Sequence, residues 1–210
     1  MGSGPGIQNP YNRAAEKSLS GFDSRQRLVV SYAVDLPFGP GQKFLSGGNG
    51  VGKRVVGGWS VSGIATFQEG YPLALTATGT SSASGWGKRP NVAPGCDPVV
   101  SGSAQSRLRN WFNTSCFTVP AAYATGNESA TDPKLRGPGI NNFDFSLLKK
   151  IPITERFNLE FRGEVFNVMN RVQFALPNTQ ITTAANPQTG WITRQINQPR
   201  LFQLALRVAF

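Results

Sequence analysis

The final ten residues of the chain, LFQLALRVAF, alternate with a period of two, and this constrains the fold more than any other feature. Successive side chains of a β-strand point to opposite faces. One face would therefore carry Phe202, Leu204, Leu206, Val208 and Phe210, and the other Gln203, Ala205, Arg207 and Ala209. In water, a wholly apolar face that ends in an aromatic ring would be an aggregation-prone edge. Ten residues also match the length of roughly 9–11 that a transmembrane strand needs.

The same stretch contains a candidate assembly signal. The pattern of polar Gln203, small Ala205, apolar Val208 and terminal aromatic Phe210 resembles the C-terminal recognition signal of bacterial outer-membrane barrel proteins. Glycine usually stands in that signal where this chain has Ala205. The resemblance implies that the barrel assembly machinery is a partner. A terminal strand of a soluble β-sandwich would alternate identically, but the exposed terminal phenylalanine favours the membrane.

Composition favours strands and turns over helices. The 210 residues include 24 Gly and 15 Pro but only 2 Met and no His. No apolar run approaches the ~18 residues of a transmembrane helix, so any insertion must use strands. The net charge of +10 raises the possibility of a polyanion partner. Because the basic residues are dispersed among strands, we expect lumen-facing charge or contact with anionic lipid, and no nucleic acid.

Five stretches have the length and alternation of membrane strands, at 27–37, 58–68, 141–150, 155–167 and 199–210. Residues 1–24 are predicted as a loop-like N-terminal stretch, and residues 25–210 as a barrel segment with a long outer loop at about 79–139. Single-chain barrels begin at about eight strands. We therefore expect an all-β fold, the C-terminal part of an antiparallel outer-membrane barrel, with too few strands to close alone. The chain start lacks a secretory signal, which fits a piece of a larger protein.

Two local features carry further expectations. Cys96 and Cys116 lie in the predicted long loop, and a disulfide between them would stabilise it by roughly 3 kcal/mol. This bond requires an oxidising compartment such as the periplasm or cell surface; two free thiols are the alternative. Gly47, Gly52 and Lys53 match the spacing of a phosphate-binding loop, but Arg54 replaces the hydroxyl residue that would hold magnesium. We interpret that segment as a flexible turn.

Several motifs in a fixed order resemble one family. FDSRQRLVVSYAVDLPFG (22–39), GGWSVSGIATFQEGYPL (57–73), LRGPGINNFDFSLLKK (135–150) and TERFNLEFRGEVFNVMNRVQF (154–174), with RPNV, WFNTSCF and the final strand, resemble the C-terminal part of Oar-like TonB-dependent transporters. The resemblance covers nearly the whole chain from Phe22 onward, with Gln26 where the family usually has His. It implies a place in the outer membrane of a Gram-negative bacterium. The implied partners are outer-membrane lipid, the plug and remaining strands of the transporter and, through them, TonB.

Two other classes of function compete with that expectation. A secreted or surface β-sandwich could bind a ligand or another cell through the Cys96–Cys116 loop. An enzyme is disfavoured because the chain has no His, no metal-ligand cluster and no nucleophile-elbow motif. We therefore expect no catalytic residue, no cofactor and no metal, while the transported substrate stays unassigned.

Overall fold

A computed structural model describes residues 6–47, 50–82, 85, 87–154, 156–184 and 186–210. The chain divides into two compact units, each assembled from three segments. The wall unit comprises Arg27–Phe67, Asn141–Val172 and Asn197–Phe210. The loop unit comprises Met1–Gln26, Gln68–Ile140 and Gln173–Ile196. Among the described residues, no helix is both long enough and apolar enough to cross a membrane.

The wall unit is built on a sheet of five strands in the order β1-β2-β6-β7-β9. These strands are β1 (Arg27–Asp35), β2 (Trp59–Gln68), β6 (Ile140–Pro152), β7 (Asn158–Phe166) and β9 (Leu201–Ala209). They agree with the predicted spans, although the predicted start of the fourth span, Glu155, lies outside the described residues. The sheet is open, with β1 and β9 at its edges. The prediction that five strands do not close a barrel is confirmed.

Pairing between strands places like side chains on the same face. β7 runs antiparallel to both β6 and β9. Phe161 lies opposite Leu206, and Val165 lies opposite Phe145 on one side and Phe202 on the other. A shift of one residue would move every side chain to the other face. The alternation seen in the sequence therefore produces one apolar and one polar face across three strands.

The segment between β1 and β2, residues 36–58, which we call the rim linker, corrects one prediction. Instead of a flexible turn it contains α1 (Gly50–Val56). The helix begins inside the glycine motif, so Gly52 and Lys53 belong to the helix and not to a phosphate-binding loop. Its two Gly and three Val have low helix propensity, which is why the sequence did not indicate it. Residues 48 and 49 of the motif lie outside the described residues.

The loop unit has a packed hydrophobic core. Its buried members come from the connection between β2 and β6 and from that between β7 and β9, and they are Leu73, Leu75, Trp111, Phe112, Cys116, Phe117, Leu135, Ile181 and Ile192. Phe112 and Phe117 meet edge to face, with ring centroids 5.9 Å apart. The predicted loop at 79–139 thus contributes to a compact hydrophobic core. Its residues 83, 84 and 86 lie outside the described part of the chain. Residues 1–5 of the predicted N-terminal stretch lie outside it as well.

Short pairings connect the segments of the loop unit. β3 (Thr76–Thr78) pairs in parallel with β8 (Gln180–Thr182), and β4 (Asn91–Val92) pairs antiparallel with β5 (Phe117–Thr118). A single 3₁₀ turn, Thr114–Cys116, directly precedes β5. The first pairing joins residues about a hundred positions apart in sequence, so this unit depends on long-range contacts.

Candidate functional site

The polar face of the wall unit carries charged side chains, and one row across three strands alternates in the sign of its charge. Glu160 of β7 lies between Lys150 of β6 and Arg207 of β9. In the next row on this face, Arg162 lies between Leu148 and Ala205. Residues directly opposite on neighbouring strands have Cβ atoms about 4.5–5.5 Å apart, close enough for opposite charges to stabilise the pairing. A face with this density of charge requires water and is suited to an aqueous lumen.

The opposite face is apolar and exposed. Its members on the two edge strands are Leu28, Val30, Tyr32 and Val34 of β1 and Phe202, Leu204, Leu206 and Val208 of β9, each close to half exposed or more. On β2 and β6, Phe67 and Phe143 meet edge to face with centroids 5.3 Å apart. Such a surface is unfavourable in water but natural against acyl chains.

β9 carries three of the four residues of the candidate assembly signal, and the fourth, Phe210, directly follows the strand. Gln203 lies opposite Glu164 and Ala205 opposite Arg162, which places both on the polar face. Val208 lies opposite Leu159 on the apolar face. Phe210 follows the strand with 96% of its surface exposed and its ring centroid 6.4 Å from that of Phe157. Because β9 is an edge strand, its outer side and this ring are accessible to another chain.

In the loop unit the structure joins Cys96 to Cys116 by a disulfide, with their Cα atoms 5.6 Å apart. Cys116 is fully buried in the core, whereas Cys96 packs against it from a partly exposed position. Asn113 caps the 3₁₀ turn before Cys116, accepting a hydrogen bond from the Ser115 amide. The bond therefore fastens a partly exposed loop directly to the core.

Buried charges tie the N-terminal stretch into the loop unit. The Arg89 guanidinium is almost completely buried and contacts the Glu16 carboxylate at 2.9 Å. The Gln8 side chain accepts a hydrogen bond from the Arg89 amide at 2.8 Å. Arg136 forms ion pairs with Asp23 and Glu69. Arg136 also donates a hydrogen bond to the Gly70 carbonyl oxygen, so its contacts extend over sequence separations of 66 to 113 residues, which no local pattern could predict.

One carboxyl group of the loop unit is electrostatically unfavourable when ionised. Burial raises the pKa of Glu128 above its ordinary value of 4.5, and the nearby Asp132 carboxylate raises it further. Hydrogen bonds from the amide and hydroxyl of Ser129, each at 3.0 Å, oppose this rise. Among the described residues, no group of three or more His, Cys, Asp or Glu side chains is placed to hold a metal ion.

The sequence did not single out Lys149, although the structure gives it a distinctive environment. Its register partner is Phe161, so Lys149 lies on the apolar face, where only 4% of it is exposed. The ammonium donates hydrogen bonds to the carbonyl oxygens of Arg54, Val55 and Gly57 in the rim linker. A charge at an apolar position of an alternating strand is the one sequence signal that could have indicated it.

An open sheet with one exposed apolar face and one charged face has the character of the wall of a membrane barrel. Residues 1–203 match the family described as an outer membrane beta barrel domain. The chain therefore belongs to this outer-membrane β-barrel family, and its place is the outer membrane. The β-sandwich alternative gives way to this assignment. Neither the curated proteins nor the solved structures include a significant match.

Proposed function

We propose that this chain is the C-terminal segment of a TonB-dependent outer-membrane transporter, forming part of the barrel wall and the outer loops. The observation that supports this most strongly is the division of β6, β7 and β9 into a lipid-suited face and a charged face. The ordered motifs from Phe22 onward support the finer assignment to Oar-like transporters. In such a protein the plug and the other strands would complete the barrel, and TonB would act through the plug.

The source DNA provides the direct test of the transporter assignment. We expect the reading frame to continue upstream of Met1 through further alternating strands, a plug with its TonB box and a signal peptide. A stop codon and a ribosome-binding site directly before Met1 would contradict the proposal. That result would leave the membership in the barrel family unaffected, since it concerns only the missing strands and plug.

We further propose that Gln203, Ala205, Val208 and Phe210 are read by the barrel assembly machinery. The support is the placement of this pattern on an edge strand, where a second strand can pair with it. The exposed ring of Phe210 is available for the same contact.

Deletion of Phe210 is expected to lower the amount of protein in the outer membrane severalfold, because a main contact of the signal is lost. The amount is measured in outer-membrane fractions by immunoblot. Replacement of Tyr11 by Ala, which removes another highly exposed aromatic ring in the loop unit without shortening the chain, is the control and should leave the amount nearly unchanged. Equal amounts of the two variants would contradict the assignment of an assembly signal.

No catalytic step is assigned to the chain in this proposal. It contains no His, and the carboxylates of Glu160 and Glu164 lie opposite Arg207 and Gln203 on the polar face. Their role is to hydrate the lumen wall and to pair with neighbouring strands. The proposed role in transport is therefore passive, as part of the pathway that a substrate crosses.

A further inference from the structure

We propose that the rim linker is a membrane-interface anchor that binds the anionic phospholipids of the leaflet on the short-turn side of the barrel. This inference rests on the outer-membrane location and is independent of any transport role. It concerns residues 36–58, which connect β1 to β2. This connection of 23 residues is longer than the turn at 153–157, which connects β6 to β7 at the same end of the strands. Short turns of outer-membrane barrels lie on the periplasmic side.

Lys149 places the C-terminal end of α1 on the lipid-facing side of the wall. The Lys149 side chain leaves the sheet on the apolar face, and its Nζ atom lies 2.7 Å from the Arg54 carbonyl oxygen and 2.9 Å from that of Val55. These carbonyls belong to the last turn of α1 and have no partner within the helix. The positive charge also stabilises the helix at this end through its macrodipole. The linker is therefore fastened to the outer surface of the barrel and not beneath its lumen.

Trp59 provides a second attachment at the same point. Its ring lies 4.8 Å from the Lys149 ammonium, and its Nε1 atom donates a hydrogen bond to the Val55 carbonyl oxygen at 2.9 Å. Tryptophan is enriched at the boundary between acyl chains and headgroups, where its ring is buried and its N–H group stays near water. The linker thus joins the apolar face at the depth of the membrane interface.

Apolar side chains of the linker are exposed beside this attachment. Val51 and Val55 are 78% and 62% exposed, and they lie four residues apart on one side of α1. Phe44 and Leu45 are also about half exposed or more. Exposed apolar residues clustered in one short segment indicate contact with another apolar phase. Since the neighbouring sheet face contacts lipid, the same acyl chains can cover them.

The positive charge of the rim linker favours anionic lipid headgroups. Residues 36–58 contain Lys43, Lys53 and Arg54 and no acidic residue. Lys43 and Arg54 are exposed. A basic residue close to an anionic membrane surface is attracted to it electrostatically. The combination of exposed apolar and basic side chains is typical of segments that lie in the interface of anionic membranes.

Fluorescence quenching of the full-length protein in lipid vesicles tests whether the rim linker is a membrane anchor. The two cysteines of this chain are joined to each other, so a thiol introduced by Val51→Cys or Val55→Cys is its single labelling site for a bimane fluorophore, once any cysteine encoded outside residues 1–210 is replaced by serine. Gln105→Cys in the loop unit, also exposed, is the control. Each labelled protein is reconstituted in phosphatidylethanolamine vesicles that contain brominated phosphatidylglycerol or, in parallel, the same fraction of brominated phosphatidylethanolamine.

We expect brominated phosphatidylglycerol to quench the labels at 51 and 55 about twofold or more beyond brominated phosphatidylethanolamine, and neither lipid to quench the label at 105. Adding Arg54→Gln should reduce the preference for phosphatidylglycerol, whereas Arg200→Gln, which removes an exposed charge before β9, should not. Labels at 51 and 55 that neither lipid quenches would overturn the proposal and indicate a protein partner. Equal quenching by the two lipids, or a preference that Arg54→Gln leaves intact, would also overturn it.

Discussion

A lysine on the lipid-facing side of a membrane sheet requires partners for its ammonium group. At Lys149 these are backbone carbonyls of the rim linker, so we predict that Lys149→Met weakens the linker's attachment. The substitution retains an apolar stem but leaves the buried Gly57 carbonyl oxygen without its donor, at a cost of about 1–3 kcal/mol, whereas the Val55 carbonyl keeps the hydrogen bond from Trp59. The variant should be cleaved by trypsin at Arg54 faster than the wild type. Lys150→Met, on the exposed opposite face, is the control, and equal cleavage of the two variants would contradict this role.

Glu128 predicts a dependence of stability on pH. Because burial raises its pKa in the folded state, the neutral carboxyl is the form that the fold tolerates better. The protonated Glu128 carboxyl stabilises the fold below its ordinary pKa of 4.5, and this contribution is lost as the pH rises through the raised pKa of the folded state. Glu128→Gln imitates the neutral form and should gain thermal stability relative to the wild type as the pH increases.

Melting temperatures of the two proteins at about pH 4 and pH 7.5 test this expectation. Asp97→Asn, which alters an exposed carboxylate in the same unit, should show no comparable gain. A difference between Glu128→Gln and the wild type that is the same at both pH values would contradict the assignment.

At the scale of elements, the pairing of β4 with β5 and the 3₁₀ turn before it are held to the core by the Cys96–Cys116 bond. The two cysteines are 20 residues apart, so replacing both by Ala should destabilise the loop unit by roughly 3 kcal/mol. Trypsin cleavage at Arg107 and Arg109, between the cysteines, reports the effect. A reducing agent should accelerate cleavage of the wild type but not of the double variant. A wild-type cleavage rate that the reducing agent leaves unchanged would exclude a stabilising role for the Cys96–Cys116 bond.

The elements differ in how far the sequence could predict them. The five membrane strands were predictable because each alternates over most of its length, as β9 does from Phe202 to Val208, although Leu148 and Lys149 of β6 interrupt the pattern. α1 was not, since its valines and glycines favour other conformations and its stability depends on a tertiary contact with Lys149. The candidate signal residues are local in sequence, so a pattern could indicate them, and they stay a prediction. Lys149 became notable only through the distant carbonyls that surround it.

At the scale of the whole molecule, the sequence indicated where the loops are but not that they pack together. The core joins Leu73, Phe112 and Ile181, which come from separate connections and have no shared periodicity. Similarly, the ion pair of Arg89 with Glu16 attaches the N-terminal stretch to a segment 73 residues away. Such contacts depend on which segments the strands bring together, which a single-sequence pattern does not encode. The strands of the wall unit could be predicted because their side chains alternate between a lipid-facing side and a water-facing side, with a period of two residues.

The central claim is that one face of the wall unit contacts lipid and the other contacts water. The most direct test replaces each residue of β7, Asn158–Phe166, by cysteine in turn and measures labelling by a water-soluble maleimide in intact outer membranes. We expect alternation: positions 158, 160, 162 and 164 are labelled, while positions 159, 161, 163 and 165 are protected until the protein is unfolded in denaturant. Uniform labelling of both sets, or protection of the charged positions alone, would contradict it.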